Sequence, residues 1–160
     1  MKILITSDSH GHVDDLVNYI NKNDFKFFIH VGDFCKDAEK ISRITGLSYI
    51  TVRGNNDFSL ANIPFKKVLN LNGLKILLVH GHKEDVNFTK DILINEAVEN
   101  SCKLVIFGHT HTYFDYYDKE FKIRLLNPGS VSLPRDGQKS FAILYIDDDS
   151  RNIEIEKICI

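Results

Sequence analysis

Five short motifs carry most of the residues in this chain that could bind a divalent metal ion. They are Asp8-Ser9-His10, Gly32-Asp33, Gly54-Asn55-Asn56-Asp57, His80-Gly81-His82 and Gly108-His109-Thr110-His111. Imidazole and carboxylate ligands with no thiolate nearby suit Mn, Fe, Ni, Co or Zn rather than Cu(I) or an iron–sulfur cluster. So many histidines argue against an all-oxygen calcium or magnesium cage. Side chains at i and i+2 of an extended segment point the same way, so Asp8-x-His10 and His109-x-His111 could each grip one ion. Glycines beside the ligands let the backbone turn sharply and approach closely.

These motifs need elements that bring them to one place. Lys2–Thr6, Phe25–Val31, Tyr49–Val52, Lys75–Val79 and Lys103–Phe107 read as strands, and each runs into one of the five motifs. Val13, Leu16, Val17 and Ile20 fall on one helical face, with Asp14 and Asp15 suited to a first turn. Further helices are expected around Ala38–Ile44 and over Thr89–Asn100. Alternating strands and helices imply βαβ units and a largely parallel sheet. Such sheets bind ligands outside the carboxyl ends of their strands, where the five motifs lie. The last third changes character. Tyr113–Tyr117 and Phe121–Leu126 flank Asp118-Lys119-Glu120, and Phe141–Ile146 and Ile153–Ile158 flank a polar turn over 147–152. Two hairpins without helices predict a second sheet packed on the first, in a layered order of helices, sheet, sheet and further helices.

Composition sets the frame. With 160 residues, 43% hydrophobic and 26% charged, the chain is expected to form one domain over 1–160. That length buries roughly 70% of the unfolded surface, enough for a core without staples. No apolar run approaches the ~18 residues of a membrane helix, and MKILITSDSH turns polar too early for a signal peptide. A formal charge of −2 opposes non-specific nucleic-acid binding. Cys35, Cys102 and Cys159 are scattered and odd in number, which fits free thiols in a reducing cytoplasm.

Taken in order, D-x-H, G-D, G-N, H-G-H and G-H-x-H resemble the calcineurin-like metallophosphoesterase superfamily from Asp8 to His111. Asn127-Pro128-Gly129-Ser130-Val131-Ser132-Leu133-Pro134-Arg135 is similar to a loop of its small YfcE-type phosphodiesterases. The resemblance implies an α/β fold, a two-sheet β-sandwich flanked by helices in four layers. It also implies two divalent transition-metal ions, with Mn preferred over Ni, Fe or Zn. Asp8, His10, Asp33 and His111 would hold one ion, and Asp33, Asn55, His80 and His109 the other, with Asp33 bridging. Asp33, Asn55 and His80 would form the catalytic centre, and Asn56, His82 and Arg135 would contact the substrate. The implied activity is hydrolysis of a small phosphodiester by attack of a metal-bridging hydroxide on phosphorus. Two alternatives remain: a phosphomonoesterase with the same site, and a non-catalytic scaffold of the retromer type, against which the retained ligand set argues. No specific nucleic-acid or membrane partner is evident, and homo-oligomerisation is open.

One departure from the family pattern bears on catalysis. Many phosphatases of this superfamily carry a histidine directly after the motif asparagine, where it can protonate the leaving group; here Asn56 follows Asn55. General acid catalysis is worth ~10²–10⁴-fold, so activated aryl diesters should turn over better than alkyl ones. His12 and Asp57 are either substitutes for that acid or turn residues. His30 is either a buried core histidine or a residue orienting a ligand. Asn127–Arg135 is either a structural loop or a source of phosphate contacts. Tyr113, Phe114, Tyr116 and Tyr117 either fill the second sheet or stack on a base, and with Phe121 they could form a dimer surface.

Overall fold

The computed structural model describes residues 1–147 and 152–160. The centre of the turn expected over 147–152 lies outside the described residues. In chain order the elements are β1 (Lys2–Thr6), α1 (Asp14–Ile20), β2 (Phe27–His30), α2 (Cys35–Thr45) and β3 (Tyr49–Thr51), then β4 (Lys66–Leu71) and β5 (Leu74–Val79). There follow α3 (Asp91–Glu99), β6 (Leu104–Ile106), β7 (Tyr113–Asp118), β8 (Ile123–Pro128), β9 (Ser140–Ile146) and β10 (Ile153–Cys159).

The strands form two five-stranded mixed sheets, in the orders β10-β9-β1-β2-β3 and β4-β5-β6-β8-β7. β1, β2 and β3 run parallel to one another, as do β5, β6 and β8. Period-2 alternation divides the apolar residues of each central strand between two cores. Ile3 and Ile5 of β1, Ile76 and Leu78 of β5 and Leu104 and Ile106 of β6 meet between the sheets. Leu4 and Phe28 turn to the other side and pack on Leu16 and Val17 of α1 and Ala38 and Ile41 of α2. Leu77 and Val105 pack on Leu93 and Ala97 of α3. Three apolar interfaces therefore stack four layers, helix, sheet, sheet, helix, as the resemblance implied. Strands buried on both faces read as continuous apolar runs, which is why they were legible as short ILI, FFI and LVI segments.

Two expectations about the sheets are corrected. The two hairpins do not form a sheet of their own: β9 pairs antiparallel with β1, whereas β8 pairs parallel with β6. Each hairpin thus widens a different parallel core sheet, because its apolar face finds an unpaired edge there. β4 was not anticipated. Its lysines Lys66 and Lys67 are exposed and Leu69 is buried, as befits an edge strand. It pairs with β5 across the two-residue turn Asn72-Gly73, both at positive φ (52° and 94°), the geometry that Asn-Gly favours in hairpins.

Candidate metal centre

The carboxyl ends of β1, β2, β3, β5 and β6 meet at one edge of the sandwich, as expected for the five motifs. One donor atom each from Asp8, His10, Asp33 and His111 lies within 4.8 Å of the others. His10 and His111 face each other with their Nε2 atoms 3.4 Å apart. His80 Nε2 lies 3.4 Å from Asp33 Oδ1 and 3.9 Å from Asp8 Oδ1, so the second group of predicted residues adjoins the first. The rings of His80 and His109 are 5.2 Å apart, and those of His80 and His82 5.5 Å apart.

The convergence does not come from extended i, i+2 pairs. Asp8, His10, Asp33, His109 and His111 all have positive φ, between 45° and 69°. Non-glycine residues adopt this region at a cost of order 1–3 kcal/mol each, so the surroundings must hold them there. Left-handed turns just past the strand ends, rather than pleated backbone, aim these side chains inward. Gly32, at φ 94°, belongs to the same arrangement: a Cβ there would lie 2.7 Å from His80 Nδ1 and 2.8 Å from Gly54 N.

Backbone carbonyls set the imidazole tautomers. His80 Nδ1 donates to Val31 O at 2.8 Å and His111 Nδ1 donates to Leu133 O at 2.8 Å. A carbonyl only accepts, so a neutral ring at either position presents a bare Nε2 lone pair to the site. Burial, with His111 and His80 next in weight respectively, holds the pKa of His10 and His109 below the ordinary histidine value. Burial opposes ionisation of Asp8 and Asp33, but His111 and His80 outweigh it and hold both carboxyls below the usual range. Burial likewise opposes protonation of His80, but Asp33 and Asp8 outweigh it.

The donor set fits divalent ions. Asp8 Oδ1, Asn55 Oδ1 and His80 Nε2 are buried and have no hydrogen-bond partner, although each belongs to the predicted ligand set. The 3.2 Å approach of His111 Nε2 to Asp8 Oδ1 lacks hydrogen-bond geometry. Buried polar atoms this exposed to one another are costly unless something else satisfies them. Asp8 Oδ2, by contrast, is anchored by Ser7 Oγ at 2.5 Å and the His109 amide at 3.1 Å, which leaves Oδ1 free.

A second ring of residues holds the loops, through bonds that the motifs did not foretell. Asp57 accepts from the amides of Asp33 (3.0 Å), Cys35 (2.8 Å) and Gly54 (2.9 Å) and from Cys35 Sγ (3.1 Å). It ties the Gly32-Asp33 loop to the Gly54-Asn55 loop and is fully engaged. Asn56 donates to Asp33 twice, from its amide to Oδ1 at 2.9 Å and from Nδ2 to Oδ2 at 2.6 Å. His30 is buried in β2; Ser9 Oγ must donate to Asp37 Oδ2 (2.6 Å), so His30 Nε2 donates to Ser9 Oγ (2.9 Å). That relay steadies the residue between Asp8 and His10, which favours the orienting reading of His30. Ser130 and Ser132 both donate to the Asp8 carbonyl, at 2.8 and 3.0 Å, so the Asn127–Arg135 segment braces the site. The partners of Asp57 and Ser130 lie in distant loops, and only their motif proximity could have hinted at them.

The remaining candidates fall in several places. His82 stands between His80 and Phe65, and burial and then His80 push its pKa down to about 4. Arg135 is exposed, with its amide bonded to the His111 carbonyl at 2.9 Å. His12 is exposed in the turn before α1. Tyr113 and Phe114 pack into the cores, while Tyr116, Tyr117 and Phe121 are exposed. Tyr117 lines a cavity with Leu74 and Lys103, at the amino ends of β5 and β6 and so away from the metal edge.

Comparison with known proteins gives the family and the fold. Residues 1–149 match the calcineurin-like phosphoesterase superfamily domain. The chain is 30% identical over 155 residues to the probable metallophosphoesterase YsnB of Bacillus subtilis, covering 96% of this chain and 89% of that one. It is 25% identical over 163 residues to the phosphodiesterase YfcE of Escherichia coli K12, covering 86% and 83%. A Streptococcus pneumoniae structure described as a predicted phosphoesterase superposes with a TM-score of 0.79 at 28% identity, covering 99% and 88%. Vps29 of Entamoeba histolytica complexed with Zn²⁺ shares the fold, with a TM-score of 0.80 at 20% identity and coverage of 99% of both chains. The chain belongs to the calcineurin-like phosphoesterase superfamily and is a metal-dependent phosphoester hydrolase.

Proposed function

We propose that the chain is a dinuclear phosphodiesterase acting on a small phosphodiester, as a single cytoplasmic domain over 1–160. The observation that carries this reading is the set of buried, unpartnered atoms Asp8 Oδ1, Asn55 Oδ1 and His80 Nε2 beside the Asp8–His10–Asp33–His111 cluster. Asp8, His10, Asp33 and His111 hold one ion and Asp33, Asn55, His80 and His109 the other, with Mn preferred over Ni, Fe or Zn. Two such ions, when bound, supply a nucleophilic hydroxide near neutral pH and clamp the oxygens of an in-line displacement.

The chain's own residues supply orientation. Asp33 bridges the two donor groups and is held by Asn56. His80 and His111 are aimed by Val31 and Leu133. His82, with its pKa pushed down to about 4, is neutral at pH 7 and serves as a hydrogen-bonding contact for the substrate, as does Arg135. Burial raises the Cys35 thiol to about 12, and its Sγ bonds to Val52 O, so Cys35 supplies no thiolate for a covalent step. Asn56 and Asp57 are committed to hydrogen bonds within the site, which leaves no general acid next to Asn55 and favours good leaving groups. The name of YfcE, and the sequence likeness to it, support the diester over the monoester. Three free cysteines support a reducing compartment, and no helix among the described residues is long and apolar enough to cross a membrane. Exposed Tyr116, Tyr117 and Phe121 offer a surface for homo-oligomerisation, which light scattering would check.

The test is hydrolysis of bis-p-nitrophenyl phosphate against p-nitrophenyl phosphate, with protein stripped and refilled with Mn²⁺, Ni²⁺ or Zn²⁺. Metal-dependent cleavage that favours the diester and is lost in Asn55→Ala is expected. Preference for the monoester would overturn the diester assignment, and inactivity with every metal would favour a scaffold.

A further inference from the structure

Two clefts flank the donor cluster, and they differ in chemistry. The one on the Asn55 side, about 270 Å³, is lined by Phe58 and Phe65 together with His82 and Arg53. Phe58 is 86% exposed at its mouth, and Arg53 stacks 3.8 Å from the Phe65 centroid. Lys83 Nζ lies 3.4 Å from the same centroid, so Phe65 is already engaged by two cations and exposed Phe58 is the aromatic surface left for a flat arm of a substrate.

The cleft on the other side, about 320 Å³, adjoins the loop that carries His109 and His111. Phe107 and Phe114 form its floor, and Lys90, Thr110, Thr112 and Arg135 its polar wall. Lys90 Nζ donates to the Val86 carbonyl and lies 5.7 and 5.5 Å from the two phenyl centroids. No carboxylate pairs with it among the described residues, and burial lowers its pKa. Arg135 also has no ion-pair partner among the described residues. Its neighbour Asp136 is turned away, accepting from the Tyr113 amide at 3.0 Å and lying 3.8 Å from Lys157 Nζ. The hydroxyls of Thr110 and Thr112 donate to each other's backbone carbonyls, so the cleft's charge comes from Lys90 and Arg135, two cations without counter-charges among the described residues, and such a pair forms a receptor for an anion. Thr110 belongs both to this cleft and, in sequence, to the stretch between His109 and His111, so the cleft borders the metal edge.

We propose that the Lys90–Arg135 cleft is a second anion subsite, which holds a terminal phosphate on one arm of the diester while the reacting phosphoryl group lies at the metal edge. The proposal rests on the phosphodiesterase reading above and extends it to substrate class: a diester with one flat apolar arm and one phosphorylated arm. Arg135 then acts on the remote phosphate rather than on the scissile one.

The experiment compares two substrates with the same leaving group, the p-nitrophenyl ester of thymidine 5′-phosphate and the same ester carrying a 3′-phosphate. With the metal-loaded protein, kcat/KM for the 3′-phosphorylated ester is expected to be about tenfold higher, mainly through KM. The ratio should fall toward one in Lys90→Gln and in Arg135→Gln, and Lys90→Arg should keep most of it. Equal kcat/KM for the two esters, or a ratio unchanged in both glutamine variants, would overturn the subsite. If neither ester is cleaved with any metal, it is the phosphodiesterase reading that fails. The subsite is then read by calorimetry of thymidine 3′,5′-bisphosphate against thymidine 5′-phosphate. Binding about tenfold tighter, and lost in Lys90→Gln, would uphold it, and equal binding would refute it.

Discussion

His80 Nδ1 lies 2.8 Å from the Val31 carbonyl, so the end of β5 is bonded to the end of β2 across the two sheets. The bond holds the ring in the tautomer that bares Nε2 toward Asp33. His80→Ala removes both the ligand atom and the cross-sheet link. Metal content of the purified variant, measured by mass spectrometry, should fall with its activity, the latter by about 100-fold or more.

Asp57 accepts from three buried amides and from Cys35 Sγ, in two loops, and of these only Sγ has a second acceptor among the described residues, the Val52 carbonyl. Asp57→Ala leaves buried amides unpaired and should destabilise the protein by about 3–5 kcal/mol in urea unfolding. Asp57→Asn retains an acceptor oxygen and should cost less. Equal stability of wild type and Asp57→Ala would contradict the clamp.

Metal binding should be visible in stability as well as in rate. Unpaired ligand atoms penalise the metal-free fold, and an ion that binds only the folded state stabilises it by about 2.7 kcal/mol at 100 times Kd. Adding Mn²⁺ to chelator-treated protein should raise Tm by about 5–10 °C. The increase should vanish in Asp33→Ala.

Direct displacement predicts inversion at phosphorus. Hydrolysis of a chiral phosphorothioate diester in ¹⁸O-water should invert configuration, and retention would instead require a covalent intermediate. Across a series of aryl esters, log kcat/KM should fall as the leaving-group pKa rises, because Asn56 and Asp57, the residues that follow Asn55, are committed to hydrogen bonds within the site. A flat series would point to an acid not assigned above.

Tyr145 on β9 donates to Glu156 on β10 at 2.9 Å, and burial together with Glu156 pushes its pKa up to about 12. The folded state therefore keeps a proton that the unfolded chain loses near its ordinary value of about 10. Stability should fall as pH rises from about 10 to 12, because the unfolded state then binds fewer protons. In Tyr145→Phe this part of the alkaline slope should disappear, as followed by urea midpoints across the range.

The local sequence determined most of the parallel core and the identity of the clustered residues. Doubly buried strands read as short apolar runs, and each ran into a motif of Gly, Asp, Asn or His that breaks the apolar run. The helix of Val13, Leu16, Val17 and Ile20 was legible for the same reason, one apolar face at helical spacing. What only the tertiary structure decided depends on partners distant in sequence. Which sheet receives β8 and which β9 follows from open edges, not from the hairpins themselves. β4 was hidden by Lys66 and Lys67, although Asn72-Gly73 marked its turn. The convergence of Asp8 with His10 and of His109 with His111 arises from left-handed turns, which alternation along an extended strand does not describe. Those turns persist because Asp37, Asp57, Asn56 and Ser130 bond to them from elsewhere in the fold, and hydrogen bonds between distant loops leave no periodic trace in a sequence.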